Sequence, residues 1–420
     1  MVAAVTLMGL SSCNKDAEGD VTGGDPMGSG SMKITLGFDS AESATYATAS
    51  TAKPSTSWKN NIKSLGVFFV EKISGEIKNA QSVPFDNSQN NLTEQTKTVK
   101  GIPVGTYDVY VFANWDQGGH TDVNKANWSV AAAKGRKIQD LYVDALASST
   151  YDAYKHPTSE VNSKGYDEAP EVFVAMHTGI VITADQTFQD PTAYALTRIV
   201  SLVRIRIDQS VNNTENKNNL ISFQDANASL RIRRIHTGAT LQYTDANMST
   251  STRRFESDAK NSVFFAQGAY EDTDPSTGYS SGKILTDNFT SWKDVKLIPA
   301  GSTTAAAEKL DVVITGITTN DQYVPAGFPK EIDPDGAGPE EATLVEKAPK
   351  GAQIAWAGAV DYVLKGNGIM ELNLTLLSAG QWVDPETPDL PLPEPQEYGN
   401  LEIKVGLVDW GAIESVNMDM

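Results

Sequence analysis

Few residues of this chain have the type and spacing to carry chemistry, and the first of them is its single cysteine. Cys13 closes the apolar run MVAAVTLMGL and the small pair Ser11-Ser12. A thiol in that setting is placed for precursor processing and acylation, so residues 1–13 read as a targeting segment with Cys13 as the lipid attachment point. Beyond it the catalytic patterns fail one by one. The four histidines, His120, His156, His177 and His236, are scattered without metal-ligand spacing. The stretch Gly278-Tyr279-Ser280-Ser281-Gly282-Lys283 is one residue short between its glycines for a phosphate loop, and Ile284 stands where Ser or Thr is required. Asp333 and Asp335 with Gly336 form an acidic turn that lacks the remaining carboxylates of a calcium loop. H-E-x-x-H does not occur. The expectation is a protein that is not an enzyme, with no metal and no cofactor.

Composition narrows the partners. A net charge of -19 and a pI near 4.6 repel nucleic acid and anionic membrane surfaces alike. One cysteine allows no intramolecular disulfide, so the fold must hold by burial. No apolar run after residue 12 approaches the ~18 residues of a membrane-spanning helix. At 420 residues the chain has length for two or three domains, each with a core of its own.

The elements that must do the work are strands. Residues 14–31, acidic and then Gly-rich, read as a flexible tether. Met32, Ile34, Leu36 and Phe38 then alternate with Lys33, Thr35 and Gly37, the period of a half-buried strand. A Ser, Thr and Ala-rich run from Asp39 to Asn61 follows, long enough for a protease to reach, before a second strand over Ile62–Val70. Tyr107, Val109 and Val111 mark another strand. Ile138, Leu141, Tyr142 and Ala145 fall on one face at helical spacing and predict a modest helix. Glu171–Met176 and Ile180–Thr183 predict a hairpin with His177 in its turn. From Leu196 to Ile207 the pattern predicts one strong strand, with Arg204 and Arg206 opposite Val203, Ile205 and Ile207; the Asn-rich Gln209–Asn219 then reads as a connection between domains. A second basic strand carries Arg231 and Arg233 opposite Leu230 and Ile232, with a phase slip at Arg234-Ile235. Such basic faces could bind an anionic glycan or a neighbour's acidic surface, or be solvated strand faces paired with carboxylates. Tyr362–Leu364 and Met370–Leu376 predict a hairpin turned by Gly366-Asn367-Gly368.

The end of the chain is organised for export. PETPDLPLPEP, from Pro385 to Pro395, is a stiff extended spacer rising ~3.1 Å per residue. After it Leu401, Ile403, Val405 and Leu407 alternate with Glu402, Lys404 and Gly406, and Val416, Met418 and Met420 alternate with Asn417 and Asp419. Both apolar faces need a groove, in the chain's own domain or in another molecule.

Four of these features together resemble a Bacteroides-type fimbrillin, a subunit of the major or minor fimbrial kind. They are the lipobox-like Leu10-Ser11-Ser12-Cys13, the first strand with its long loop, the Leu196-x-Arg198-x-x-Ser201-x-Val203 strand, and the terminal run from Leu401 through Trp410 to Met420. The resemblance implies a mostly β chain of two transthyretin-like β-sandwich domains in tandem, over residues 32–208 and 209–400, with a small helical insertion and a donor-strand segment at 401–420. It implies a lipoprotein precursor held in the outer membrane through Cys13 and delivered to the cell surface. A protease would cut after the first strand, the segment bearing Met32, Ile34, Leu36 and Phe38 would leave, and another subunit's C-terminal strand would add to the vacated groove. Leu401, Ile403, Val405, Leu407, Val416, Met418 and Met420 are then the donor residues. Oral members of the family carry arginine in the cut loop, whereas this chain has none before Arg136 and a proline after Lys53, leaving Lys59 and Lys63 as candidate cut sites. The partners implied are other fimbrial subunits, including anchor and tip proteins, and host or bacterial surface glycans or proteins. Two alternatives stand beside a stalk subunit: an uncleaved anchor, and a monomeric glycan-binding lipoprotein using Trp115, Trp128, Trp292 or Trp382.

Overall fold

The computed structural model describes residues 28–37, 62–85, 94–115, 129–145, 164–208, 220–222, 225, 227–253, 262–267, 293–305, 308–325, 330–332, 343–376, 379–383 and 401–409. The chain is mostly β. The strands of its first half are β1 (Ser29–Gly37), β2 (Leu65–Glu71), β3 (Ile77–Ser82), β4 (Glu94–Pro103), β5 (Gly105–Ala113), β6 (Tyr142–Asp144), β7 (Lys164–Tyr166), β8 (Phe173–Ile182), β9 (Thr187–Gln189), β10 (Tyr194–Ala195), β11 (Thr197–Arg198) and β12 (Ser201–Asp208). Those of the second are β13 (Ile221–Ser222), β14 (Ser229–Arg233), β15 (Gly238–Thr240), β16 (Thr252–Arg253), β17 (Ser262–Gln267), β18 (Lys293–Leu297), β19 (Leu310–Thr318), β20 (Lys330–Ile332), β21 (Thr343–Val345), β22 (Gln353–Val360), β23 (Gly368–Leu376), β24 (Gln381–Val383) and β25 (Leu401–Asp409).

Two packed pairs of sheets organise them. In the first pair, β10-β1-β4 with β9 beside β1 faces β11-β8-β5-β2-β3. Met32, Ile34, Leu36, Val99 and Tyr194 from one sheet meet Val67, Phe69, Val109, Val111 and Phe173 from the other in a common core. The back of the five-stranded sheet is buried too: Phe68, Val70, Tyr110 and Phe112 pack against Trp115, Val130, Ile138, Leu141 and Leu241. Burial on both faces is why β2 reads as an unbroken apolar run, LGVFFV, instead of alternating. In the second pair, β18-β12-β23-β25 packs on β24-β22-β19-β14-β17-β7, and Val203, Ile205, Leu372 and Leu374 meet Leu230, Ile232, Val312, Ile314 and Trp356 between them.

Several sequence expectations change here. The helix predicted after Gly135 is one 3-10 turn, Ile138–Asp140, followed by strand β6; Ile138, Leu141 and Val143 cap the back of a sheet, and that packing overrides the helical spacing. The hairpin around His177 is one continuous strand, because Gly179 at φ 73° absorbs one extra residue as a bulge opposite Tyr107–Val109 and donates its N–H to Asp108 at 3.1 Å. The segment 196–207 is two strands in two sheets: β11 pairs with β8, and β12 pairs with β18 and, in parallel, with β23. Leu196, then Ile199 and Val200, then Val203 and Ile205 therefore belong to three successive apolar clusters. Residues 362–376 are not a hairpin, since Leu364 bridges Ala300 while β23 joins β12 and β25. The phase slip at Arg234 is real: that residue takes φ 64° immediately after β14 ends at Arg233.

The described arginines of the basic strand faces are neither solvated nor open to a glycan. Arg204 and Arg231 are buried, Arg204 lies 3.8 Å from Glu371, and Arg233 and Arg234 both reach the buried Asp311, at 2.5 and 3.5 Å. A crossing point of the fold is held the same way. Arg198 packs 4.8 Å over the Phe173 ring and its Nε donates to Glu171 at 2.6 Å. Truncating one partner of a buried pair strands the other charge, so Arg198→Ala is expected to cost about 3–5 kcal/mol, read as a lower urea midpoint; a loss under ~1 kcal/mol would remove this pair from the account.

Candidate functional site

The candidate site is the slot that holds β1. Met32, Ile34 and Leu36 are fully buried while Lys33 is exposed, the outcome that strict alternation demands. On one side β1 runs antiparallel to β4 from Ser29↔Pro103 to Gly37↔Glu94. On the other it runs parallel to β9 at Ser31–Lys33 and to β10 at Leu36–Gly37. Further bonds close the slot: Ser31 donates its N–H to Gln186 at 2.9 Å, Asp185 donates to Ser29 at 3.0 Å, and the hydroxyls of Ser31 and Thr187 meet at 2.8 Å. β1 thus fills an interior position of its sheet. At ~1.5–3 kcal/mol per large apolar side chain, its three buried residues contribute roughly 5–9 kcal/mol of burial.

The β10 flank is stiffened by a polar cluster. The Nδ1 of His177 and a carboxylate oxygen of Asp190 lie 2.7 Å apart, Asp190 also accepts the N–H of Thr192 at 3.0 Å, and the imidazole stacks on Tyr194 with centroids 3.8 Å apart. His177 is a strand residue bracing this flank. Burial, then the nearby Asp190 charge, pushes the Tyr194 hydroxyl well above the ordinary 10.0; burial, then the bond to Asp245, does the same for Tyr243. Raised folded values mean that stability is complete below pH 10 and lost above it, because only the unfolded chain then releases these protons readily. The urea midpoint is therefore expected to fall steadily from pH 9.5 to 11, with a shallower fall in Tyr194→Phe; equal slopes would refute the assignment.

The C-terminal strand is paired at home. β25 lies antiparallel to β23 from Leu376↔Leu401 to Gly368↔Asp409, which sets Leu401, Ile403, Val405 and Leu407 opposite the core residues Leu376, Leu374, Leu372 and Met370. Among the described residues it is an edge strand, paired with β23. Of the other site residues read from the sequence, Lys63 is exposed, but its N–H donates to the buried Asn114 at 2.7 Å beside the fully buried Ile62. Cys13, Phe38, Lys59, Val416, Met418 and Met420 lie outside the described residues. Trp115 is core and Trp382 packs half-buried on the second core, while Trp128 and Trp292 lie outside the description. Among the described residues no group of three or more His, Cys, Asp or Glu could hold a metal, and no helix is long and apolar enough to cross a membrane. Sequence reading missed β9, β10 and the His177–Asp190–Tyr194 cluster, since two- and three-residue strands have no period to detect.

No family model and no curated protein matches the chain. Solved structures do. A candidate cell adhesion protein from Bacteroides eggerthii aligns at 10% identity and TM-score 0.47 over 92% of this chain and 98% of that one. A fimbrilin from Porphyromonas gingivalis aligns at 13% identity and TM-score 0.42 over 92% and 98%. The tip fimbrial protein Mfa3 of the same species, C-terminally truncated, aligns at 11% identity and TM-score 0.32 over 91% and 100%. These similar structures are fimbrial and adhesion proteins. What their likeness adds to the β1 slot is context, and the chemistry of the slot stands on its own residues.

Proposed function

We propose that this chain is a structural subunit of cell-surface fimbriae that polymerises by strand exchange and so supports adhesion. The single observation that carries the reading is the contrast between its two terminal strands. β1 occupies a slot paired on both sides, at the end of a segment that a cut between 38 and 62 would free, whereas β25 holds one neighbour among the described strands and follows a proline-rich spacer. A β25 leaving its own edge for a neighbour's empty slot exchanges one-sided pairing for two-sided pairing, and its apolar alternation suits the buried face. Tandem β-sandwich domains over 32–208 and 209–400, lipid attachment at Cys13 before processing, and a donor role for Val416, Met418 and Met420 belong to this reading. Its partners are other copies of the chain, anchor and tip subunits, and surface glycans or proteins.

The second reading, an uncleaved anchor subunit, draws on Lys63: an amide tied to Asn114 next to buried Ile62 resists the extended geometry a protease needs, leaving Lys59 as the basic cut site. The test treats purified full-length chain and a chain ending at Gly399 with limited trypsin, followed by gel mobility without heating and electron microscopy. Heat-labile ladders and filaments from the cut full-length chain alone support the stalk reading. Equal assembly by the shortened chain refutes strand exchange, and resistance to cleavage with no assembly favours the anchor.

A further inference from the structure

The slot also restricts which strand can enter it, and in which register. Two glycines of β1 touch its walls. A Cβ at Gly30 would lie 2.4 Å from the Thr183 carbonyl oxygen and 2.8 Å from the Ile182 side chain, and one at Gly37 would lie 3.0 Å from the Ala193 Cβ. The first contact is one that real Cβ atoms essentially never show, and the second admits a side chain only if Ala193 gives by a few tenths of an ångström. Between them the strand reads Gly30-Ser31-Met32-Lys33-Ile34-Thr35-Leu36-Gly37-Phe38. The chain contains the same pattern at its other end, Gly399-Asn400-Leu401-Glu402-Ile403-Lys404-Val405-Gly406-Leu407, with both glycines at the same spacing.

Resting on the strand-exchange reading above, we infer that residues 399–407 are matched to the β1 slot in one orientation and one register, with Gly399 in the place of Gly30 and Gly406 in that of Gly37. Leu401, Ile403 and Val405 then take the buried places of Met32, Ile34 and Leu36. Sliding by two residues puts Glu397 or Leu401 against the Thr183 carbonyl and Lys404 or Val408 against Ala193. Sliding by one turns Glu402 and Lys404 into the core. Reversing the strand with its glycines aligned brings Lys404 to the place of Met32 and Glu402 to that of Ile34. Each alternative puts a clash or a charge where the slot admits neither.

Charge favours the incoming strand over the resident one. Lys33 stands opposite Thr98 and therefore diagonal to Lys100, within the ~7–8 Å over which cross-strand charges interact. Glu402 in that place turns a like-charge diagonal into an opposite one. Lys404, in the place of Thr35, stands diagonal to the position of Glu94. Asn400, in the place of Ser31, keeps a hydrogen-bonding group beside the Thr187 hydroxyl.

The test uses full chains carrying Cys13→Ser and one cysteine pair, cut by limited trypsin, assembled and then oxidised. Thr98→Cys with Glu402→Cys is the in-register pair. Thr96→Cys or Lys100→Cys with Glu402→Cys are two residues off on the same face. Covalent ladders at least tenfold stronger from the Thr98 pair, together with loss of filaments in Gly399→Val, support the register. Stronger ladders from an off-register pair, or filaments from Gly399→Val at the parent yield, overturn it while leaving strand exchange intact. Filaments whose subunits crosslink in no pair overturn strand exchange and the register with it.

Discussion

Replacing Asp311 by alanine is expected to cost about 3–5 kcal/mol, a large loss for a single charge in the second pair of sheets. Asp311 is inaccessible on β19, and its two oxygens receive Arg233 at 2.5 Å and Arg234 at 3.5 Å, both of them mostly shielded from water. Arg234, which follows β14, adopts φ 64° while contacting Asp311, so the carboxylate also holds a left-handed residue. Without it Arg233 and Arg234 stay in a low-dielectric setting with this counter-charge gone, and the left-handed backbone at Arg234 loses a contact. Lys309 and Asp361 form a contrasting pair, with Asp361 two-thirds exposed, and Asp361→Ala should change stability by no more than ~1 kcal/mol. Urea midpoints of the two variants measure the contrast. Comparable losses would show that burial does not set the worth of these pairs.

Ile34→Ala is expected to move stability and assembly in opposite directions. Ile34 is 1% exposed at the centre of the slot, so its truncation should destabilise the uncut subunit by about 2–5 kcal/mol through lost burial and a cavity. Under strand exchange the same change weakens only the strand that must leave. Cut Ile34→Ala protein should therefore polymerise faster than the cut parent. Ile403→Ala should do the reverse, since it weakens the entering strand. Both effects are read from light scattering after limited trypsin. An Ile34→Ala subunit that is less stable and also slower to assemble would mean that β1 stays in the fibre.

The two glycines explain why the register was hidden in the sequence. A glycine inside an alternating strand is visible as a gap in the apolar pattern, but its reason lies in residues far along the chain: Thr183 and Ile182 for Gly30, Ala193 for Gly37. The same holds for the arginines. Arg231 on an alternating strand reads as a polar, outward residue, and only the packing that covers that face makes it buried.

The chain by itself determined what depends on local period and composition. Alternation at Met32–Phe38 and Leu401–Leu407 specifies two strands with one apolar face each, and a single cysteine allows no intramolecular disulfide. The likeness to fimbrillins was legible from the order of four loose patterns along the chain. Tertiary structure alone decided which strands are neighbours. That β1 lies between β4 and the short parallel β9 and β10, that β25 rests on the edge beside β23, and that residues 196–207 cross from one sheet to another are pairings between distant segments. The physical reason is range: side-chain period is set by adjacent residues, whereas strand partners are set by which distant surfaces bury each other best, and no local pattern encodes that choice.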